Sequence, residues 1–356
     1  MKNVCVFCLL VMTHLWLFSS HRIQLEMSKQ FAIGDEKIFF ESIASVCEDQ
    51  EGNFFVLDRK AARVYKFSKE GKCIVCFGNK GQGPGEFIDP HHIFITGDRK
   101  IVVNEIRDFI HFFDQSGKFL ERKRVNIGLG ICYLNDNLFY GWHWIPEGKR
   151  QLTFCPDGKI IEKFFTVSRD TFSVNVPDET GRLVMCNFYT EAYTPYFLFS
   201  QYESYFAVGI SNHYEILVID HSNNKSEKIS REIKPDKIIK KERGKFVRLI
   251  NENTRLPDIA KKKFLKKIPG YKNYLSGIHL TGSHVWAFRI RGDILVEDSP
   301  IPVDLFTIQG DFKGTIRLKK MPLYISAKNI YFTETNNQED LILARYQYTL
   351  TPISKR

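Results

Sequence analysis

The sequence predicts an all-β fold: a six-bladed β-propeller of four-stranded antiparallel blades, with a short basic helical insert. Three observations carry this. Apolar strands recur in groups of four, at the ~40–50-residue period that marks propeller blades. A Gly-Lys turn returns at Gly71, Gly117 and Gly158, spaced by 46 and then 41 residues. The 356 residues are 43% hydrophobic and 14% aromatic, with 30 Phe and 15 Tyr, a composition suited to pleated, half-buried surfaces.

The chain begins MKNVCVFCLLVMTHLWLFSS, in which Lys2 precedes a 15-residue apolar run from Val4 to Phe18 and then Ser19 and Ser20. That is the layout of a secretory signal. Residues 1–20 are expected to direct export to the periplasm or beyond, and to anchor the chain to the membrane if they are not cleaved. No Cys directly follows the run, which argues against a lipoprotein.

The clearest units are NFFVLDRKAARVYKFSKEGKCIVCFG from 53, KIVVNEIRDFIHFFDQSGKFLERKRV from 100 and NLFYGWHWIPEGKRQLTFCPDGKIIEKFF from 137. Each reads as strand, polar loop, alternating strand, tight glycine turn and strand. One more apolar strand precedes each, as in SIASVC at 42–47 and HHIFI at 91–95. Blades are expected at 36–78, 88–125, 128–165, 170–233, 274–320 and 321–350, making residues 29–350 the propeller. The last blade shows too few strands of its own, so KQFAIGD at 29–35 is expected to close the ring and remove two raw sheet edges.

Val56, Asp58, Arg63, Val64, Phe67, Gly71 and the exit FGNKGQGPGEF resemble the NHL-repeat pattern. They are particularly similar to exported bacterial six-bladed propellers carrying a KGxGPGEF segment. The second unit departs by placing Glu105 where the pattern has Asp, and later units lose the glycine-rich exit.

The glycine stretch itself is not a phosphate loop. No Lys-Ser or Lys-Thr follows its last glycine, it runs into a strand and not a helix, and Pro84 removes an amide donor. It is expected to carry the chain from the outer strand of one blade to the inner strand of the next. Such connections share a face with the loop between second and third strands. Long, varied loops therefore gather on one side, where function is expected.

Candidate ligand-binding residues on that side are Asp58, Arg59, His91, His92, Glu105, Arg107, Trp142, His143 and Trp144. The charged residues suit alternating charges at the channel mouth, or plain loop ion pairs. Adjacent indoles suit stacking against sugars or aromatic groups; the competing reading packs them between blades. His91 and His92 open an inner strand. A propeller related to peptide-amidating lyases holds a metal on inner-strand histidines, which makes His279 the partner to test. Alignment places His279 level with Phe94, not His92, and zinc needs three or four converging ligands. No resident cofactor is expected, and a divalent metal belongs only to that alternative.

Of the cysteines beyond the signal, CIVC at 73–76 looks like a redox pair, but residues three apart on a strand face opposite ways. Free, buried cysteines are expected. The net charge of +10 is local: residues 234–272 hold 14 Lys or Arg against 4 Asp or Glu, and the rest of the chain is neutral. Residues 234–273 are expected to form helices, starting in one case at Pro257. Ile238, Ile239, Phe246, Val247 and Ile250 would make one apolar side, and Ile259, Phe264, Leu265 and Ile268 another. This insert suits an anionic surface; so confined a charge does not suit nucleic acid. The function expected is a non-enzymatic binding module for a protein, peptide or glycan on the loop-rich face near the channel. The alternative is a lyase or hydrolase with a metal or polar site at the channel mouth.

Overall fold

A computed structural model describes residues 22–353 except 35–37, 106–108, 125–127, 136–137, 146–148, 157–161, 169–172 and 296–298; for residues 22, 128–156, 162–164, 168 and 353 it describes the backbone only. It contains six four-stranded antiparallel sheets. Blade 1 comprises Ile43–Glu48, Phe54–Asp58, Arg63–Phe67 and Cys73–Phe77. Blade 2 comprises Pro90–Ile95, Ile101–Glu105, Phe109–Phe113 and Phe119–Arg124. Blade 3 comprises Gly128–Asn135, Leu138–Ile145, Lys149–Pro156 and Glu162–Ser168. Blade 4 comprises Phe197–Tyr202, Tyr205–Ile210, Glu215–Asp220 and Lys225–Ser230. Blade 5 comprises Leu275–Leu280, His284–Arg289, Ile301–Thr307 and Phe312–Leu318.

Blade 6 holds Tyr324–Ile325, Asn329–Thr335 and Leu341–Ile353, and its outer strand is Arg22–Ile33 from the other end of the chain. Lys29 pairs with Tyr346, Phe31 with Arg345 and Ile33 with Leu343, with a bulge between Lys29 and Phe31. The closing strand begins seven residues earlier than 29–35 alone would give, since Arg22 pairs with Ile353.

Second strands whose side chains are described are buried on both faces, because neighbouring blades cover each side. In Phe54–Asp58, Phe55 and Leu57 pack towards Ile93, Val103 and Phe113 of blade 2. Phe54 and Val56 pack towards Tyr331 and Leu343 of blade 6. The period-2 alternation of a strand thus feeds two separate cores. Each fully buried Phe contributes about 2–3 kcal/mol through the hydrophobic effect. The Gly-Lys turns work as expected where described: Gly71 and Gly117 have φ of 88° and 85°, and Asp114 braces the second by accepting from the amides of Ser116 and Lys118.

The long fourth unit has a specific cause. Residues 173–187 form a separate hairpin, Ser173–Pro177 against Leu183–Asn187, in the connection between blades 3 and 4. It joins the basic insert, which forms α1 (Lys240–Glu252) and α2 (Asp258–Lys267) between blades 4 and 5. Val174, Val176, Phe246, Ile250, Ala260 and Phe264 make one shared core. Pro257 does stand at the start of α2. Ile239 and Ile259, expected on apolar faces, are exposed, and Glu242 is buried in their stead. No helix among the described residues is long and apolar enough to cross a membrane.

Candidate functional site

Inner strands open with a repeated irregularity. In blade 1, Ile43 pairs with Asp58 and then Ser45 with Leu57; in blade 2, Pro90 pairs with Glu105 and then His92 with Asn104. In blade 5, Leu275 pairs with Arg289 and then Gly277 with Phe288. Ala44, His91 and Ser276 are the skipped residues, at the position where a bulge re-aims a side chain. The shared register puts His92 level with Ser45 and Gly277, and His279 level with Phe94 and Cys47. The two histidines therefore sit two residues apart along the channel, or ~7 Å.

The channel is a cavity of about 1280 Å³, lined by inner strands of blades 1, 2, 4, 5 and 6. Its waist is aromatic and includes His92, Phe94, Phe197, Phe199 and His279. The His92 and Phe199 rings, from non-adjacent blades, lie 6.1 Å apart between centroids. Enclosure by protein, reinforced by neighbouring His91, lowers the His92 pKa to about 4. Burial alone takes His279 to about 4, with its ring 5.5 Å from Phe288. Both imidazoles are neutral at pH 7. Both rings are part-buried in the cavity wall and lie beside Phe199 and Phe288 respectively. Among the described residues no three His, Cys, Asp or Glu side chains gather as a metal would require.

Below the waist Glu48 is held by three neighbours: Tyr331 Oη donates at 2.5 Å, Asn329 Nδ2 at 2.9 Å and Ser326 Oγ at 3.1 Å. Tyr202 and Tyr324 line the same part of the wall. Burial first, and Glu48 among other charges, hold the Tyr324 phenol far above its ordinary range. The only sequence sign of this site was an acid ending the otherwise apolar strand Ile43–Glu48.

The two ends of the channel differ. The lining reaches the short turns at Asp49–Gly52, Thr96–Arg99 and Ser326–Asn329 on one side. On the other, the long connections contribute, among the described residues, Tyr189, Glu191, Tyr196 and Leu323. Asn273 pins the 189–196 segment, which borders that end: its Nδ2 donates to the Glu191 and Thr194 carbonyls, each at 2.9 Å, and its amide donates to the Ala192 carbonyl at 2.7 Å. Long loops were expected to build the site; among the described residues strands and tight turns supply most of the cavity lining, while residues 106–108 and 146–148 of the expected loops lie outside the described residues.

Most described candidates have structural partners. Asp58 is fully buried and accepts from the amides of Glu41 at 2.7 Å and Ser42 at 2.9 Å, tying the incoming connection to blade 1. Glu105, its counterpart in blade 2, accepts from the Ile88 amide at 2.5 Å. Ser211, which the sequence did not flag, repeats the latch in blade 4 by accepting from the Tyr196 amide at 3.0 Å. Arg59 pairs with Asp89 through Nε at 2.7 Å and Nη2 at 3.2 Å. His91 lines the cavity with Nε2 buried and unpaired; burial, then Arg59, lower its pKa, and Asp89 opposes them. Trp142, His143 and Trp144 are not in a loop: they pair with Leu152, Gln151 and Arg150 inside strand Leu138–Ile145, because the third strand already starts at Lys149. Arg107 lies outside the described residues.

The glycine stretch folds around its own acid. Glu86 Oε2 accepts from the Gly83 amide at 2.8 Å, and a Cβ on Gly81 would lie 2.0 Å from that oxygen. A carboxylate fills the place an anion would take. Cys73 and Cys76 are free as expected but exposed, contrary to expectation, because Cys73–Phe77 is an outer strand.

A family model described as a 6-bladed beta-propeller, DUF5128, matches residues 17–172. No curated protein matches the sequence. The chain is similar to a member of the DUF4221 family from Bacteroides vulgatus, at 11% identity and a TM-score of 0.51, with 94% of this chain and 100% of that one covered. It is also similar to a protein of Bacteroides fragilis described as exported, at 12% identity and a TM-score of 0.52, with 93% and 96% covered. At these identities the likeness speaks for architecture alone. Sheet topology and the family model agree on a six-bladed β-propeller, and the two solved structures share its architecture.

Proposed function

We propose that this chain is an exported, non-enzymatic propeller of the NHL-repeat type that binds a peptide or glycan in its central channel. The observation that carries this reading is the cavity of about 1280 Å³, with an aromatic, uncharged waist above a hydrogen-bonded carboxylate. Ring faces stack on sugars and on apolar side chains, and a few placed polar groups fix orientation. Neutral His92 and His279 add hydrogen-bonding capacity without charge. Export is supported by Lys2 and the apolar run that follows, and by similarity to a protein described as exported. The confinement of positive charge to one insert speaks against nucleic acid.

The test is calorimetric titration of the chain from residue 22 with a panel of oligosaccharides and peptides, for wild type and Phe199→Ala. A panel member that binds wild type and loses at least tenfold in affinity to the variant supports the reading. Metal-dependent turnover abolished by His92→Ala or His279→Ala would replace it with the lyase or hydrolase alternative.

A further inference from the structure

We propose that the loop-rich face, outside the channel whose rim it meets at Tyr189, is a docking surface for a second protein presenting an acidic segment with apolar side chains. Thirteen large apolar side chains are exposed among the described residues. Only Met27, Ile74 and Leu120 lie on outer strands; the other ten are in connections between blades. All such connections emerge on one face of the ring. Each described connection contributes at least one: Phe39 (61% exposed) from blade 6 to 1, Ile88 from 1 to 2, Tyr189 from 3 to 4, Tyr271 from 4 to 5 and Met321 from 5 to 6. The described tight turns at the opposite end expose none. Isolated exposed apolar residues are ordinary, but segregation to one face is what an interface produces.

The same face carries the basic insert and nearly all of the chain's net charge. Lys241, Lys245 and Arg248 are exposed along α1, and Lys262 and Lys266 along α2, each at one-turn spacing. These cations are held on a fixed frame: Lys272 and Glu242 pair inside the insert, and Lys263 and Lys267 fasten α2 to the Asn175 and Ser173 carbonyls at 2.7 and 3.0 Å. A rigid basic surface beside apolar tips is complementary to a partner that supplies carboxylates and apolar side chains together. A lipid surface fits less well. Glu41 and Glu191 are exposed two residues from Phe39 and Tyr189, so inserting those tips would drag carboxylates out of water.

The experiment uses two 20-residue peptides with equal numbers of Glu, one interspersed with Phe and Leu and the other with Ser. Binding to the chain is measured by fluorescence anisotropy. The apolar peptide is expected to bind at least tenfold more tightly. Phe39→Ser/Ile88→Ser/Tyr271→Ser should erase that preference and leave the Ser peptide unchanged. Charge reversal at Lys241, Lys245, Lys262 and Lys266 to Glu should weaken both peptides at least tenfold. Phe199→Ala should alter neither, so failure of the channel reading and failure of this one are distinguishable. Equal binding of the two peptides overturns the proposal. So does tighter association with phosphatidylglycerol vesicles than with the apolar peptide, or self-association of the free chain that the triple variant abolishes.

Discussion

Lys272 Nζ meets Glu242 Oε1 at 2.6 Å with neither side chain exposed. The pair is completed by the Gly292 carbonyl, which accepts from Lys272 at 2.6 Å, and by the Ile239 and Ile294 amides, which donate to Glu242 at 3.0 and 3.2 Å. One ion pair therefore joins the start of α1, the end of the insert and the connection that follows the second strand of blade 5.

Removing one partner should cost more than removing both. Lys272→Met leaves a buried carboxylate without its cation and is expected to destabilise by about 3–5 kcal/mol. Glu242→Gln with Lys272→Met should recover much of that. Chemical denaturation of the three variants measures the difference, and equal losses for the single and double variants would contradict the assignment.

Stability should depend on pH through the channel. His92 and His279 have folded-state pKa values of about 4 against an ordinary value of 6.5. Below 6.5 the unfolded chain takes up protons that the folded chain refuses. Stability is then lost as pH falls from about 6.5 to about 4, and the effect levels off below that. Each ring contributes at most about 3 kcal/mol, less where channel water screens it. His91, His221 and His284 are shifted in the same direction. His92→Gln/His279→Gln should flatten the melting-temperature profile across this window.

Ring closure is testable at Gly34, where φ is 131° and a Cβ would lie 2.8 Å from both the Leu341 carbonyl oxygen and Ile342 Cγ2. Gly34→Ala is expected to destabilise by about 1–3 kcal/mol through strain and crowding. Deleting residues 22–33 should do more, because it bares the Leu341–Ile353 edge and uncovers the apolar side of blade 5. Calorimetry should show a broadened or absent cooperative transition.

The latch at Asp58 predicts graded losses. Asp58→Ala leaves the part-buried Glu41 and Ser42 amides without their acceptor and should cost about 1–3 kcal/mol, while Asp58→Asn keeps an acceptor and should cost less. Urea midpoints of the two variants decide this.

Cys73 and Cys76 should be alkylated in the folded protein while buried Cys47 is not. Burial raises all three thiols, Cys47 most, so labelling should be slow at pH 7 and quicken at alkaline pH. Rapid formation of a Cys73–Cys76 disulfide would show that the two thiols do not face apart.

The sequence by itself determined the strands and the turns, because these are local, and it pointed to ring closure through a last blade too short of strands to complete itself. Alternation in Phe54–Asp58, glycine at 71 and 117 and a depleted last blade each follow from residues within a few positions of one another. The lysines of 234–272 likewise announced a solvated helical insert. Only the tertiary structure decided what these parts enclose. Glu48 meets Tyr331 across 283 positions of chain, and the hairpin at 173–187 shares a core with helices more than fifty residues later. It also decided that Asp58 and Glu105 act as latches and that Cys73 and Cys76 lie outside. Strand periodicity says which residues share a face; what that face meets is set by the neighbouring blade, and no local pattern encodes it.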